Sequence, residues 1–201
     1  MPEIRPRYEF RAFSQNFGIV VEKMRRLSRC EQIRESAEIY IMSAGNNENN
    51  TKIRDDKMDI KVLVGRDRGL EQWSPRMKGT FPMSASVIAE DVFPAFGVSP
   101  PAFDRDRWSL PQFLDELIRP DSRLVAANVF KRRFGFTVND CITEHAEILV
   151  NGAALQTVAV EAVDVEAILA ARRMLALDEY ENVNYLIAIK RVIGMEPMPA
   201  N

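Results

Sequence analysis

The sequence predicts an α+β fold that is mainly antiparallel β, with helices flanking one domain over residues 1–201. Three observations support this class: runs of alternating polar and apolar residues, turn sequences between consecutive runs, and amphipathic stretches with helical spacing. A hydrophobic content of 46% suits one domain with a sizeable core. The predicted strands are Arg7–Phe13, Glu38–Ser43, Thr51–Arg54, Met58–Val64, Leu124–Thr137, Cys141–Val150 and Leu155–Val163.

The first third of the chain is predicted to hold four strands and one helix. Between Phe17 and Cys30, apolar residues recur at three- and four-residue intervals with basic residues on the other side, which is typical of an amphipathic helix. Turn-forming residues at Gly45-Asn46-Asn47 and Asp55-Asp56-Lys57 separate strand-like runs. We therefore expect these strands to pair as antiparallel neighbours.

The rest of the chain divides into an irregular middle and a regular end. Residues 75–120 are rich in proline, which predicts short helices and loops. Asn151-Gly152 supplies the residues of a two-residue type I′ turn, so the strands beside it form the clearest hairpin. The predicted C-terminal helices are Val165–Leu177, with Asp164 as its N-cap, and Tyr185–Val192.

Composition excludes several classes of function. The 27 basic and 29 acidic residues nearly cancel, so the chain lacks the positive field of a general nucleic-acid binder. Cys30 and Cys141 stand far apart, which predicts neither a zinc site nor a disulfide framework. The first residues carry charge and proline, and no apolar run has the length of a membrane span. We expect a cytoplasmic protein with no membrane partner.

Basic residues recur on one side of several predicted strands. Alternate side chains of a strand share a face, so Arg7, Glu9 and Arg11 point the same way. Such residues can form a solvated face. Like charges on several neighbouring strands, however, repel and need a compensating anion or carboxylates. The further pairs with this parity are Lys52 with Arg54, Asp59 with Lys61, and Lys131 with Arg133.

A curved sheet would gather these cations around one cavity. We therefore predict that Arg11, Arg54, Lys61 and Arg133 converge on the interior of the sheet.

The register of the last hairpin separates the acidic residues of its first strand. If Asn151-Gly152 is a two-residue turn, Glu144 pairs with Ala159 and shares a face with Glu161. Glu147 then points the other way. A longer loop with a bulge would reverse this choice, so Glu144 is preferred and Glu147 stays the alternative.

Common catalytic motifs are missing from the sequence. It contains no GxGxxG, Walker, HExxH or GxSxG pattern, which argues against the usual nucleotide-binding and hydrolase folds. His145 is the only histidine, and no Ser or Cys motif lies beside it. We therefore expect His145 to be a surface residue and not a catalytic base.

Eight short segments follow one another in an order that resembles the CYTH domain, or triphosphate tunnel metalloenzyme, along nearly the whole chain. Each segment is only a few residues long, so their shared order carries the resemblance. The segments are Tyr8-Glu9-Phe10-Arg11, Glu38-Ile39-Tyr40, Thr51-Lys52-Ile53-Arg54, Met58-Asp59-Ile60-Lys61, Gly69-Leu70-Glu71-Gln72-Trp73, Phe130-Lys131-Arg132-Arg133, Thr157-Val158-Ala159-Val160-Glu161 and Asn182-Val183-Asn184-Tyr185.

This resemblance implies a CYTH-like eight-stranded tunnel barrel with flanking helices, in which basic side chains grip a triphosphate and glutamates hold Mg²⁺ or Mn²⁺. It implies metal binding by Glu9, Glu161 and Glu144, with Glu161 and Glu144 as the catalytic carboxylates. The implied phosphate contacts are Arg11, Lys52, Arg54, Lys61, Lys131 and Arg133.

The chain departs from the family pattern at three positions. The opening Glu-x-Glu-x-Lys signature reads Arg7-Tyr8-Glu9-Phe10-Arg11, and the later Glu-x-Glu pair reads Ala159-Val160-Glu161. Val183 stands where the resemblance implies a lysine. Loss of carboxylates should weaken Mg²⁺ or Mn²⁺ binding, because these ions prefer oxygen ligands. Arginine can instead bind phosphate directly.

Two functions remain open from the sequence. One is a metal-dependent phosphohydrolase that acts on a triphosphate, polyphosphate or nucleotide. The other is a non-catalytic module that binds such a phosphate-rich small anion. The basic residues read phosphate charge and not the organic group, so the sequence favours no organic part and no oligomeric state.

Overall fold

The computed structural model describes residues 6–197. In this part of the chain the strands are β1 (Tyr8–Ser14), β2 (Gln32–Ser43), β3 (Asn49–Arg54), β4 (Lys57–Asp67), β5 (Leu70–Thr80), β6 (Met83–Ser84), β7 (Arg107–Trp108), β8 (Leu124–Val138), β9 (Cys141–Val150) and β10 (Ala153–Ala162). The helices are α1 (Gly18–Leu27), α2 (Ala85–Val87), α3 (Phe93–Phe96), α4 (Leu110–Gln112), α5 (Val165–Leu175) and α6 (Tyr185–Val192), with π-helical turns at Ile88–Val92 and Phe113–Ile118.

Eight strands form a closed antiparallel barrel in the order β1-β10-β9-β8-β2-β3-β4-β5. Strands β6 and β7 pair with each other in a separate two-stranded sheet. The predicted α+β class with mainly antiparallel strands is therefore confirmed. None of the helices in residues 6–197 is long and apolar enough to cross a membrane.

The chain divides into two compact units, each with its own hydrophobic core. The first unit comprises the chain through Ser36 together with Leu63–Ser74 and Phe130–Asn184. The second comprises Ala37–Val62, Pro75–Val129 and the chain from Tyr185 onward. That the whole chain is a single domain stays a prediction.

In the first unit, α1 and α5 supply apolar side chains to one face of the sheet. Phe10 on β1 and Val158 on β10 pack in one core cluster with Val20 of α1 and Ile168 of α5. Because side chains alternate along a strand, the odd-numbered residues of β1 lie on the opposite face. The amphipathic stretches predicted both helices, although each ends a few residues earlier than expected.

In the second unit, the strands bury a different set of apolar residues. Ile53 on β3 and Ile60 on β4 lie in one cluster with Phe93 and Trp108. The even-numbered residues of β3 and the odd-numbered residues of β4 therefore lie on the face away from this core.

Two-residue turns set the register of the β9–β10 and β3–β4 hairpins. Asn151 and Gly152 have φ angles of 47° and 91°, and Val150 is paired with Ala153, as a two-residue type I′ turn requires. Asp55 and Asp56 likewise have positive φ, with Arg54 paired to Lys57. The predicted antiparallel hairpins are confirmed.

The prediction was wrong for the start of the proline-rich middle. Strand β5 continues through Pro75 to Thr80, where loops and short helices were expected. Proline weighs against a strand because it lacks the N–H donor of the ladder. The rest of residues 75–120 does contain the short helical segments α2 to α4.

Candidate functional site

The first unit places three carboxylates and one arginine on the sheet face away from its core. Glu9 is paired with Glu161, and Arg11 with Ala159, between β1 and β10. Glu144 on β9 is also paired with Ala159, so the predicted register is confirmed. We call Glu9, Arg11, Glu144 and Glu161 the Arg11 cluster.

Arg11 directs its guanidinium at all three carboxylates. Its Nε donates to Glu9 Oε1 at 2.5 Å, Nη1 lies 3.5 Å from Glu144 Oε1, and Nη2 lies 4.0 Å from Glu161 Oε1. The Arg11 side chain is only 8% exposed, whereas the three carboxylates are 22% to 30% exposed. The resemblance implied a phosphate contact for Arg11; in the structure each nitrogen is directed at a carboxylate.

Hydrogen bonds to its main chain and to Thr157 fix the position of Arg11. Its N–H donates to Asn182 Oδ1 at 2.8 Å, and its carbonyl accepts from the N–H of Val183 at 2.7 Å. Thr157 donates its hydroxyl to the Ala12 carbonyl and accepts from Arg11 Nη1 at 3.4 Å. Thr157 was not predicted, although its parity with Glu161 in β10 could have indicated it.

The two predicted basic residues of β8 lie in the same unit. Arg133 donates from Nη2 to Ser36 Oγ at 2.8 Å, and its Nε lies 3.9 Å from Glu144 Oε2. Lys131 is buried and shares the strand parity of Arg133. Their roles as phosphate ligands stay predictions.

Glu71 on β5 is a further carboxylate on the same sheet face as the Arg11 cluster. It was not predicted as a site residue. It is paired with Glu9 between β5 and β1. It accepts hydrogen bonds from Asn184 Nδ2 at 3.2 Å and Trp73 Nε1 at 3.2 Å. Burial raises the pKa of Glu71, while the hydrogen bond from Asn184 opposes that rise. Its position in the Gly69–Trp73 segment, one of the eight that carry the resemblance, could have indicated Glu71 as a site residue.

His145 and Glu147 lie on the other face of β9, beside a cavity of about 390 Å³. The His145 ring is stacked on Phe134 with centroids 5.6 Å apart, and the residue is only 5% exposed. The prediction of a surface histidine was therefore wrong, because this face packs against α1 and β8 side chains. Burial lowers the pKa of His145, and a hydrogen bond with Gln156 opposes this shift.

The second unit carries a denser group of cations. Lys52 and Arg54 project from β3 on the face away from the core, and Lys61 shares that face on β4. Lys52 Nζ lies 3.4 Å from Glu38 Oε2, and Arg54 Nη1 lies 3.5 Å from Glu38 Oε1. The Glu38 side chain is fully buried, so it acts as an internal counter-charge for both. We call Lys52, Arg54 and Lys61 the basic face.

Lys52 combines burial with a strong local field. Burial lowers the pKa of its ammonium group, and the Glu38 carboxylate opposes that shift most strongly. Its Nζ lies 5.9 Å from the ring centroid of Tyr40, which in turn is stacked on Tyr185 at 5.7 Å. Lys61 is exposed. The basic face therefore combines a largely buried cation, Lys52, with a solvent-accessible one, Lys61.

The predicted metal ligands do not fit a divalent ion as they are arranged. Mg²⁺ requires oxygens at about 2.0–2.1 Å in octahedral geometry. Glu9, Glu144 and Glu161 are instead spread around the planar fork of Arg11. Within residues 6–197, no three His, Cys, Asp or Glu side chains are grouped so that they could hold a metal ion. The predicted catalytic roles of Glu161 and Glu144 stay predictions.

Comparison with known proteins identifies the fold but no family. No protein-family model and no curated protein matches the chain. Among solved structures, a conserved hypothetical protein from Pyrococcus furiosus has a TM-score of 0.51 and 15% identity, covering 90% of this chain and 98% of that one. A protein from Pyrococcus horikoshii has a TM-score of 0.51 and 17% identity, covering 91% and 98%.

A third similar structure carries a functional description. The HpAC1 protein from Hippeastrum, a candidate adenylyl cyclase with a dominant triphosphatase activity, has a TM-score of 0.53 and 9% identity, covering 97% of this chain and all of that one. The fold is CYTH-like. At these identities the likeness concerns the fold alone, and it confirms the CYTH-like barrel that the order of segments predicted.

Proposed function

We propose that this CYTH-like protein binds a phosphate-rich small anion, such as a triphosphate, polyphosphate or nucleotide, through the basic face of its second unit. One observation carries the proposal: Lys52, Arg54 and Lys61 project from adjacent strands on the side away from the core. Lys57, paired with Arg54, adds a fourth cation to this face. Glu38 and Asp59 balance only part of that charge.

Phosphate suits this face for a physical reason. Arginine binds phosphate oxygens with two parallel N–H groups, and lysine adds a compact point charge. Residues two apart on one strand lie about 6.6–6.8 Å apart, so two cations of one strand can contact different phosphates of the same ligand. The triphosphatase activity named for the similar Hippeastrum protein supports this ligand class.

We propose binding rather than turnover as the primary role. Metal-assisted phosphoryl chemistry uses a divalent ion to neutralise developing charge. In the first unit, the carboxylates that the resemblance assigns to the metal are ion-paired with Arg11. The basic residues can hold a phosphoanion by direct hydrogen bonds without that ion.

Calorimetric titration with tripolyphosphate in the presence of a chelator tests this proposal. Arg54→Ala should weaken binding by about 1.5–3 kcal/mol, or roughly 10–150-fold, because a hydrogen bond to a charged group is lost. Arg132→Ala is the matched control, since Arg132 is exposed on β8 and contacts Glu35 at 3.5 Å. Unchanged affinity of a natively folded Arg54→Ala variant would refute the proposal.

Phosphate release separates the two open functions. Tripolyphosphate, ATP and thiamine triphosphate should each be incubated with the protein and Mg²⁺ or Mn²⁺. We expect no release above the uncatalysed background. Turnover near the ordinary enzyme range of about 10 per second would instead assign a metal-dependent phosphohydrolase.

A further inference from the structure

We infer that Arg11 is a resident cation that replaces a divalent metal ion among Glu9, Glu144 and Glu161. The inference concerns the first unit and goes beyond the anion binding proposed for the second. It follows from where each guanidinium nitrogen lies, from the charge of the cluster and from the hydrogen bonds that hold Arg11 in place.

The geometry assigns one side of the guanidinium to each carboxylate. Nε is bonded to Glu9, Nη1 faces Glu144, and Nη2 faces Glu161. Nη1 also donates to Thr157 Oγ1, whose own hydrogen is given to the Ala12 carbonyl. The planar fork thus bridges strands β1, β9 and β10, as a multivalent ion would.

The three carboxylates need a positive charge between them, so removing the Arg11 guanidinium is unfavourable. Three carboxylates on adjacent strands repel one another, and each lies largely out of solvent. Removing one partner of a buried ion pair leaves uncompensated charge and is strongly destabilising. Arg7 Nε lies 3.9 Å from Glu161 Oε2, but Arg7 is half exposed. Arg11 is therefore the cation best placed to neutralise the set.

Main-chain hydrogen bonds hold the backbone of Arg11 beside the three carboxylates. Both backbone groups of Arg11 are bonded to the segment Asn182–Val183. Asn182 is anchored in turn by donation from its Nδ2 to the Gly69 carbonyl. A metal ion would have to enter the space that the guanidinium fills, and it would meet a positive charge there.

Titration with Mn²⁺ alone, in the absence of any phosphoanion, tests this inference. The wild type should show no specific Mn²⁺ binding. Arg11→Met, which removes the guanidinium but keeps an unbranched side chain, should gain specific Mn²⁺ binding, with an affinity at least about tenfold above any residual binding by the wild type, because three carboxylates then lack their counter-charge. At Mn²⁺ about 100-fold above its Kd, the melting temperature of this variant should rise by roughly 5–10 °C.

Arg133→Met is the matched control. It removes a cation that also faces Glu144, at 3.9 Å, but leaves Arg11 in the fork, so Mn²⁺ affinity should stay at the wild-type level. Adding Glu144→Gln to Arg11→Met should abolish the gained affinity.

Two results would overturn the inference. One is Mn²⁺ binding by the wild type that is lost in Glu144→Gln, and this measurement decides even if Arg11→Met does not fold. The other is a natively folded Arg11→Met variant without any gain in affinity. Because no phosphoanion is present in this experiment, neither result bears on the anion binding proposed for Lys52 and Arg54. That proposal is tested separately by the tripolyphosphate titration.

Discussion

Glu38→Gln should change the pH range over which the protein binds tripolyphosphate. Glu38 is the buried carboxylate that contacts both Lys52 and Arg54. Burial lowers the pKa of Lys52, and Glu38 is the strongest influence that raises it again. Replacing the carboxylate by an uncharged amide of similar size should therefore lower the pKa of Lys52 further.

The size of the effect follows from the 3.4 Å separation of Lys52 Nζ and Glu38 Oε2. At an effective dielectric constant of about 20, the attraction is on the order of 5 kcal/mol, an upper bound that desolvation offsets. Once Lys52 is neutral, one charge-assisted phosphate contact is lost. Binding should then weaken by about 1.5–3 kcal/mol, or roughly 10–150-fold.

Calorimetry between about pH 6.5 and 10 would measure this change. Affinity should fall at alkaline pH in both proteins, because only the protonated lysine attracts the anion, and the fall should begin at lower pH in Glu38→Gln. Asp55→Asn is the matched control: Asp55 Oδ2 lies 3.9 Å from Arg54 Nε but is 86% exposed. Solvent screens that pair, so its profile should match the wild type.

Superimposable pH profiles for Glu38→Gln and the wild type would refute this reasoning. They would mean that Lys52 does not contact the anion or that Glu38 does not control its protonation. A parallel drop in affinity at every pH would point instead to a structural role for Glu38, which circular dichroism would check.

Three further predictions concern residues outside the proposed ligand contacts. Lys190→Met should lower the free energy of unfolding by about 2–4 kcal/mol in denaturant titrations, because it leaves three acceptors of the buried ammonium, Ala44 O, Asn46 O and Asn47 Oδ1, without their donor. A change below about 1 kcal/mol would contradict this prediction. Buried His145 should titrate below the ordinary pKa of about 6.5 in NMR spectra. The unfolded chain binds more protons in that window, so stability should fall as pH drops from about 6.5, and less so in His145→Phe. At pH 8, a thiol reagent should modify exposed Cys30 quickly and Cys141 only after unfolding, since burial raises the pKa of Cys141 to about 11; two fast thiols would be the opposing result.

The parts of the fold that local chemistry determines were predictable. Asn151-Gly152 selects one turn type, that turn sets one register, and the register places Glu144 beside Ala159. Asp164 caps α5 by accepting from the N–H of Glu166 at 2.9 Å, as its residue type predicted. In each case the residues that decide the geometry, the turn Asn151-Gly152 and the cap Asp164, act within a few residues of themselves.

Long-range packing decided the features that the sequence did not predict. Strand β5 continues past Pro75 because its place in the barrel outweighs the local preference against proline. His145 is buried because Phe134 on the neighbouring strand β8 stacks on its ring and because α1, distant in sequence, lies over this face. Likewise, the parity of β1 places Arg11 on the correct face, but only the pairing of three strands shows which carboxylates surround it.

The three positions at which the sequence differs from the CYTH resemblance lie close to Arg11. Ala159 is paired with both Arg11 and Glu144, so a glutamate there would compete for the space of the guanidinium and add a further negative charge. The substituted positions 7 and 183 also contact this cluster: Arg7 lies near Glu161, and the N–H of Val183 donates to the Arg11 carbonyl. Alanine at 159 and a guanidinium at 11 are therefore mutually compatible. Introducing a carboxylate at 159 alone would not create a metal site while Arg11 still occupies the centre of the cluster.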